Sequence, residues 1–109
     1  MKRITNREQL MSKIEAEQQT WVFFYAPLCG TCELGRSFIS MVEKVIENDF
    51  VYEMDLNLCK DEAPIWEIQS VPCLVEFSNN KVVDKLYAFE SVSTVYEFIN
   101  NKQTIRNER

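Results

Sequence analysis

The chain of 109 residues contains no histidine. That absence removes the usual general base near neutral pH, the commonest zinc ligand and the Cys/His hydrolytic dyad. Positive charge is also in short supply: 12 Lys and Arg stand against 17 Asp and Glu, for a formal charge of −5. With no strongly basic cluster, the electrostatic footprint that nucleic acid or an anionic lipid surface requires is missing, so neither is expected as a partner. Long apolar runs are lacking as well. Charges punctuate residues 1–20, "MKRITNREQLMSKIEAEQQT", which leaves no signal-peptide core and no membrane span there and sets the expectation of a cytoplasmic protein starting at or near Met1. No repeat, low-complexity tract or linker interrupts the chain.

What is present has ordinary globular proportions, with 46% hydrophobic and 27% charged residues. A chain of this length can bury one core without disulfide staples or structural metal, so a single domain over 1–109 is expected. Four cysteines are then unusual. In a reducing compartment such residues are catalytic, metal-binding or buried more often than permanently cross-linked.

Thr5 and Glu8 have capping-box spacing, and Leu10, Met11 and Ile14 follow on one face, which predicts a helix over about 6–18. Residues 20–26, "TWVFFYA", are aromatic and β-branched and closed by Pro27, the signature of a buried central strand. From Cys32 onward Leu34, Phe38, Met41, Val42, Val45 and Ile46 predict an amphipathic helix reaching about Glu47. "FVYEMDL" (50–56) is a second strand, Asp61 opens a short helix containing Pro64, and "CLVEF" (73–77) is a third strand. The turn composition of Ser78-Asn79-Asn80-Lys81 joins that strand to "VVDKLYA" as a hairpin. Ser91 or Ser93 opens a last helix with Val92, Val95, Tyr96 and Ile99 inward, and the polar tail "NKQTIRNER" either prolongs it or frays. A right-handed βαβ unit followed by an antiparallel hairpin gives an α/β fold: a mixed four-stranded sheet with helices on both faces and room for a short extra N-terminal edge strand.

"APLCGTCE" (26–33) lies where the first predicted strand meets the long helix. By itself a C-x-x-C pair permits a redox couple, half of a metal clip, or two neighbouring core residues. At a helix N-terminus, unpaired backbone N–H groups and the positive end of the dipole favour a thiolate on the first cysteine. The second, one turn on, is near enough to attack a mixed disulfide, and together they exchange two electrons with a disulfide.

The strand "WVFFYA", then "PLCGTC", an amphipathic helix, "SVPCLVEF", a hairpin and a terminal helix resemble the thioredoxin family over nearly the whole chain. The resemblance implies the thioredoxin-like fold and a thiol-disulfide oxidoreductase with no metal or organic cofactor. It also implies disulfide-containing protein substrates, and a flavoprotein disulfide reductase or low-molecular-weight thiol as electron donor. Cys29 would be the attacking thiol and Cys32 the resolving one. Pro72 would be cis and shape a groove beside the sulfurs, and the Val71 backbone would pair with an extended substrate peptide. Gly30 and Thr31 would line the site, and Leu28, where thioredoxins place Trp, would form part of its apolar rim. Gly30 and Gly35 fit a tight turn and close helix packing.

Besides Leu28, the chain departs from the family pattern at three further places. The buried Asp that serves the resolving cysteine is replaced by Phe23, its Lys partner aligns with Glu53, and the Pro between the cysteines is Thr31. Glu53 is therefore the candidate proton acceptor, against the plainer reading of a solvent-facing strand glutamate. Thr31 restores a backbone N–H and adds a hydroxyl near the sulfurs. Cys73 follows Pro72, and the strand pleat should turn it into the core, away from the groove. Cys59 is expected in a loop, partly buried or exposed. A four-cysteine zinc site is disfavoured, because a helix and a proline-started strand separate Cys59 from Cys73. Trp21, Phe24 and Tyr25 read as core. A competing reading keeps the fold as an adaptor that recognises partners around Pro72 with weak or no redox turnover.

Overall fold

The computed structural model describes the backbone of residues 1–107 and the side chains of residues 1–100. Among the described residues five strands and four α-helices follow in the order β1 (Lys2–Ile4), α1 (Arg7–Ala16), β2 (Gln19–Tyr25), α2 (Gly30–Ile46), β3 (Val51–Asp55), α3 (Glu62–Ile65), β4 (Cys73–Ser78), β5 (Lys81–Leu86) and α4 (Val92–Asn107). They form one sheet in the order β1-β3-β2-β4-β5. β1 and β2 pair parallel to β3, while β4 runs antiparallel to β2 and to β5. The extra N-terminal edge strand is thus real, and the sheet has five strands rather than four.

β2 holds the centre because it can be buried on both faces. Trp21, Val22, Phe23 and Phe24 are all 3% exposed or less, and their side chains divide by the pleat. Val22 and Phe24 join Leu10, Ile14, Met54, Cys59, Ile68 and Cys73 in one cluster, on the side of α1 and α3. Trp21 and Phe23 join Cys32, Ile39, Val42, Leu74, Val95 and Ile99 in the other, beneath α2 and α4.

Local chemistry sets most of the boundaries. The β4–β5 turn places Asn79 at φ 52° and Asn80 at φ 66°, the paired left-handed conformation whose twist suits a two-residue hairpin. Ser91 caps α4, its Oγ accepting from the Thr94 N–H at 3.1 Å. Val95 and Ile99 are fully buried beneath that helix, with Val92 and Tyr96 partly so. The helix runs on into the polar tail as far as Asn107; residues 108–109 lie outside the described residues.

Two elements differ from expectation. The cap of α1 is Asn6, not Thr5: its side chain accepts from the Gln9 N–H at 2.8 Å. Asn6 and Gln9 repeat the same cap spacing one residue later, and Ile4 is occupied in β1. In α2 the inward face is Cys32, Gly35, Ile39, Val42 and Glu43, whereas Leu34, Met41 and Val45 are exposed. Two of the inward residues, Cys32 and Gly35, are small. A Cβ on Gly35 would lie 3.4 Å from the Phe89 ring, which supports its role in close packing. Glu43 is tolerated inside because its carboxylate accepts from the Val51 N–H at 3.0 Å and from the amino group of Met1 at 2.9 Å.

Candidate active site

The end of β2 delivers the chain to the start of α2 through Pro27 and Leu28. Leu28 makes the reversal in the left-handed region, φ 57°, with its side chain fully solvent-exposed. Such a backbone costs a non-glycine residue about 1–2 kcal/mol. The special backbone was expected at Gly30, but Gly30 is simply the first helical residue, and an added Cβ there would touch nothing within 4 Å. The turn is completed before the cysteines are reached.

Cys29 is the N-cap of α2, with extended backbone at φ −112° and ψ 106°. Its Sγ accepts from the Cys32 N–H at 3.3 Å and lies 3.5 Å from the Thr31 hydroxyl. A sulfur in this position meets the unpaired N–H groups and the positive end of the helix dipole, the two influences that stabilise a thiolate. Cys32 is fully buried behind it, while Cys29 is partly exposed. The two are joined as a disulfide, with Cα atoms 5.2 Å apart.

The Val71–Pro72 peptide bond is cis and leads directly into β4. Val71 and Cys29 both pack against the cluster containing Cys32, so the proline loop and the cysteine pair share one end of the sheet. Leu28, Gly30 and Thr31 are exposed around the pair, and Val71 and Pro72 are half-buried.

Glu53 does not face solvent. It pairs with Phe23 across β2 and β3, lies on the α2 side of the sheet, and is 7% exposed. Arg36, one helical turn beyond Cys32, donates from Nε to Glu53 Oε1 at 3.1 Å and also pairs with Glu33. Its guanidinium stacks 4.6 Å above the Tyr25 ring, and Arg3 approaches Glu53 at 3.9 Å. The position of the family's buried acid is thus filled by a ring, and the nearby carboxylate is carried on β3 and held by a cation from α2. Sequence reasoning passed over Arg36. Its signal is the i, i+4 relation to Cys32 on the same helix.

The other two cysteines are elsewhere. Cys73 points to the opposite face of the sheet, fully buried, as its place in the pleat implied. Cys59 is also buried, in a 3₁₀ turn (Leu56–Cys59) after β3, where a loop position with partial exposure was expected. The compact turn folds it beneath α1 and α3 instead. Burial pushes both thiols up to about 11. Among the described residues, no group of His, Cys, Asp or Glu is arranged to hold a metal ion, and no helix is long and apolar enough to cross a membrane.

A cysteine pair opening a helix beside a cis-proline loop, on a mixed sheet layered by helices, defines a protein of the CXXC thiol-disulfide class. Comparison with known proteins agrees. The thioredoxin family model matches residues 2–101. A thioredoxin-like protein, YusE, of Bacillus subtilis is 35% identical over 83 residues, covering 76% of this chain and 78% of that protein. A thioredoxin of Mycoplasmoides gallisepticum is 31% identical over 90 residues, 82% of this chain and 89% of its own. Among solved structures, oxidised thioredoxin from Plasmodium falciparum superposes with a TM-score of 0.79 at 22% identity, covering 94% of this chain and 97% of that one. Mitochondrial thioredoxin 3 of Saccharomyces cerevisiae gives 0.75 at 17%, covering 93% and 94%. The chain belongs to the thioredoxin family, whose members are thiol-disulfide oxidoreductases, and it carries that family's cysteine pair at Cys29 and Cys32.

Proposed function

We propose that this protein reduces disulfides of other proteins in the cytoplasm through the Cys29/Cys32 dithiol. The observation that carries the reading is the placement of Cys29 Sγ as the cap of α2, accepting from the Cys32 N–H at 3.3 Å, with Cys32 sealed behind it. In the reduced protein the Cys29 thiolate attacks one substrate sulfur. That bond forms as the substrate S–S bond breaks, and the first substrate thiol leaves. Cys32, giving up its proton, then attacks Cys29 and expels the second substrate thiol. The substrate has gained two electrons from the dithiol and two protons, one balancing that released by Cys32 and one from solvent, and Cys29–Cys32 has become the disulfide.

Glu53 is the acceptor for the Cys32 proton in this reading, directly or through water. Among the described hydrogen bonds only its Oε1 is engaged, by Arg36, which leaves Oε2 available. Leu28, Gly30, Thr31, Val71 and Pro72 form the surface that receives the substrate chain. A flavoprotein disulfide reductase or a low-molecular-weight thiol returns the protein to the dithiol state.

The adaptor reading draws on two departures from the family, the fully buried Phe23 in place of its acid and the exposed Leu28 in place of its Trp. The two readings separate in an assay of protein-disulfide reduction by dithiothreitol. The oxidoreductase accelerates it and Cys29→Ser abolishes the acceleration. An adaptor leaves the rate unchanged, and so would a protein in which Cys29 is not the nucleophile show no loss in the variant.

A further inference from the structure

A groove of about 530 Å³ opens beside the cysteine pair, on the α3 side of the proline loop. Ala26 and Val71 form its end nearest the pair; Leu56, Pro64 and Ile68 supply apolar walls, and Lys60 stands at its edge. Ala26 lies at the end of β2, just ahead of Leu28 and Cys29, and Val71 immediately precedes the cis-proline. The groove is therefore continuous with the surface where a substrate disulfide must dock. Lys60 is the single charged residue lining it among the described residues. It is exposed, and none of the described hydrogen bonds or ion pairs uses its Nζ. Asp61 follows Lys60 in sequence and Glu62 is taken up by Arg7, so among the described residues this ammonium is the one charge that the apolar slot itself presents.

Resting on the redox reading above, we infer that this groove selects substrate segments carrying an apolar side chain with an acidic neighbour close to the disulfide, and that Lys60 is a specificity-determining residue. The apolar side chain enters between Leu56, Pro64 and Ile68, where removal from water supplies the attraction. The acidic neighbour meets Lys60 at the rim. An exposed pair of this kind adds little affinity but discriminates between charges and responds to salt.

The test is single-turnover reduction, by the fully reduced protein, of a panel of short homodimeric peptide disulfides. Each peptide carries Leu within a few residues of its cysteine on either side, followed by Glu, Gln or Lys. For the best Leu position the Glu peptide should be reduced about fivefold faster than the Lys peptide at low salt, the ratio falling as salt is added. In Lys60→Glu the order should invert. In Lys44→Glu, which changes the net charge equally at the far end of α2, the ratio should persist. Exchanging Leu for Ala should slow the wild type about tenfold. A Glu-to-Lys ratio near one, a ratio that Lys60→Glu leaves unchanged, or one that Lys44→Glu shifts equally would overturn the assignment. Failure to reduce any peptide would instead overturn the redox reading, and this assignment with it.

Discussion

At the scale of the residue, the unusual feature is the exchange of positions beneath the cysteine pair. Phe23 fills a fully buried site, and the carboxylate next to it belongs to Glu53, held by Arg36 at 3.1 Å. A carboxylate that is 7% exposed is costly without its partner, since the desolvation is already suffered and the compensating charge is gone. Arg36→Met should therefore destabilise the fold by about 2 kcal/mol, between the values for exposed and fully buried pairs. The double variant Arg36→Met/Glu53→Gln should recover most of that loss, because the remaining group is neutral. Urea denaturation of the two single variants and the double one measures the coupling, and equal, additive losses would contradict it.

At the scale of the element, strand and helix identities were largely legible, and the reasons are local. "TWVFFYA" announced a strand buried on both faces, Asn79-Asn80 announced the hairpin, and Ser91 the start of α4. The cysteine pair was legible because it sits where a strand pattern hands over to a helix pattern. What was not legible depended on which neighbour each residue meets. The apolar spacing of α2 placed Leu34, Met41 and Val45 inward, yet the helix turns Cys32, Gly35, Ile39 and Val42 to the sheet, and a hydropathy pattern gives a glycine no weight as a contact point. Gly30 invited a turn that Leu28 makes instead. Glu53 was assigned by alignment of position, but its partner Arg36 lies on another element, and only the folded chain brings them together. The 3₁₀ turn that buries Cys59 leaves no periodic trace at all.

At the scale of the whole molecule, the sheet divides the cysteines by chemistry. Cys29 and Cys32 belong to the α2 and α4 side, at the open end of the sheet, and Cys59 and Cys73 to the α1 and α3 side, buried. Both buried thiols are pushed from about 9 up to about 11 by desolvation, in Cys59 reinforced by Glu62. A folded-state value above the unfolded one means that the folded form keeps its proton longer. Stability from this source is complete below about pH 9 and is lost as pH rises toward about 11, at up to about 1.4 kcal/mol per pH unit for Cys73. With the Cys29–Cys32 disulfide intact, the urea midpoint should fall between about pH 8.5 and about 10.5 and fall less steeply in Cys73→Ala. Identical slopes in the two proteins would contradict the assignment.

The same division leads to the most direct test of the redox account. Cys32→Ser removes the resolving thiol, so a substrate attacked by Cys29 should remain attached. Incubated with a disulfide-containing protein, this variant should yield an adduct that dithiothreitol releases and that peptide mapping locates at Cys29. Absence of any adduct, or linkage through Cys59 or Cys73, would contradict the claim that the capping thiol of α2 is the working nucleophile.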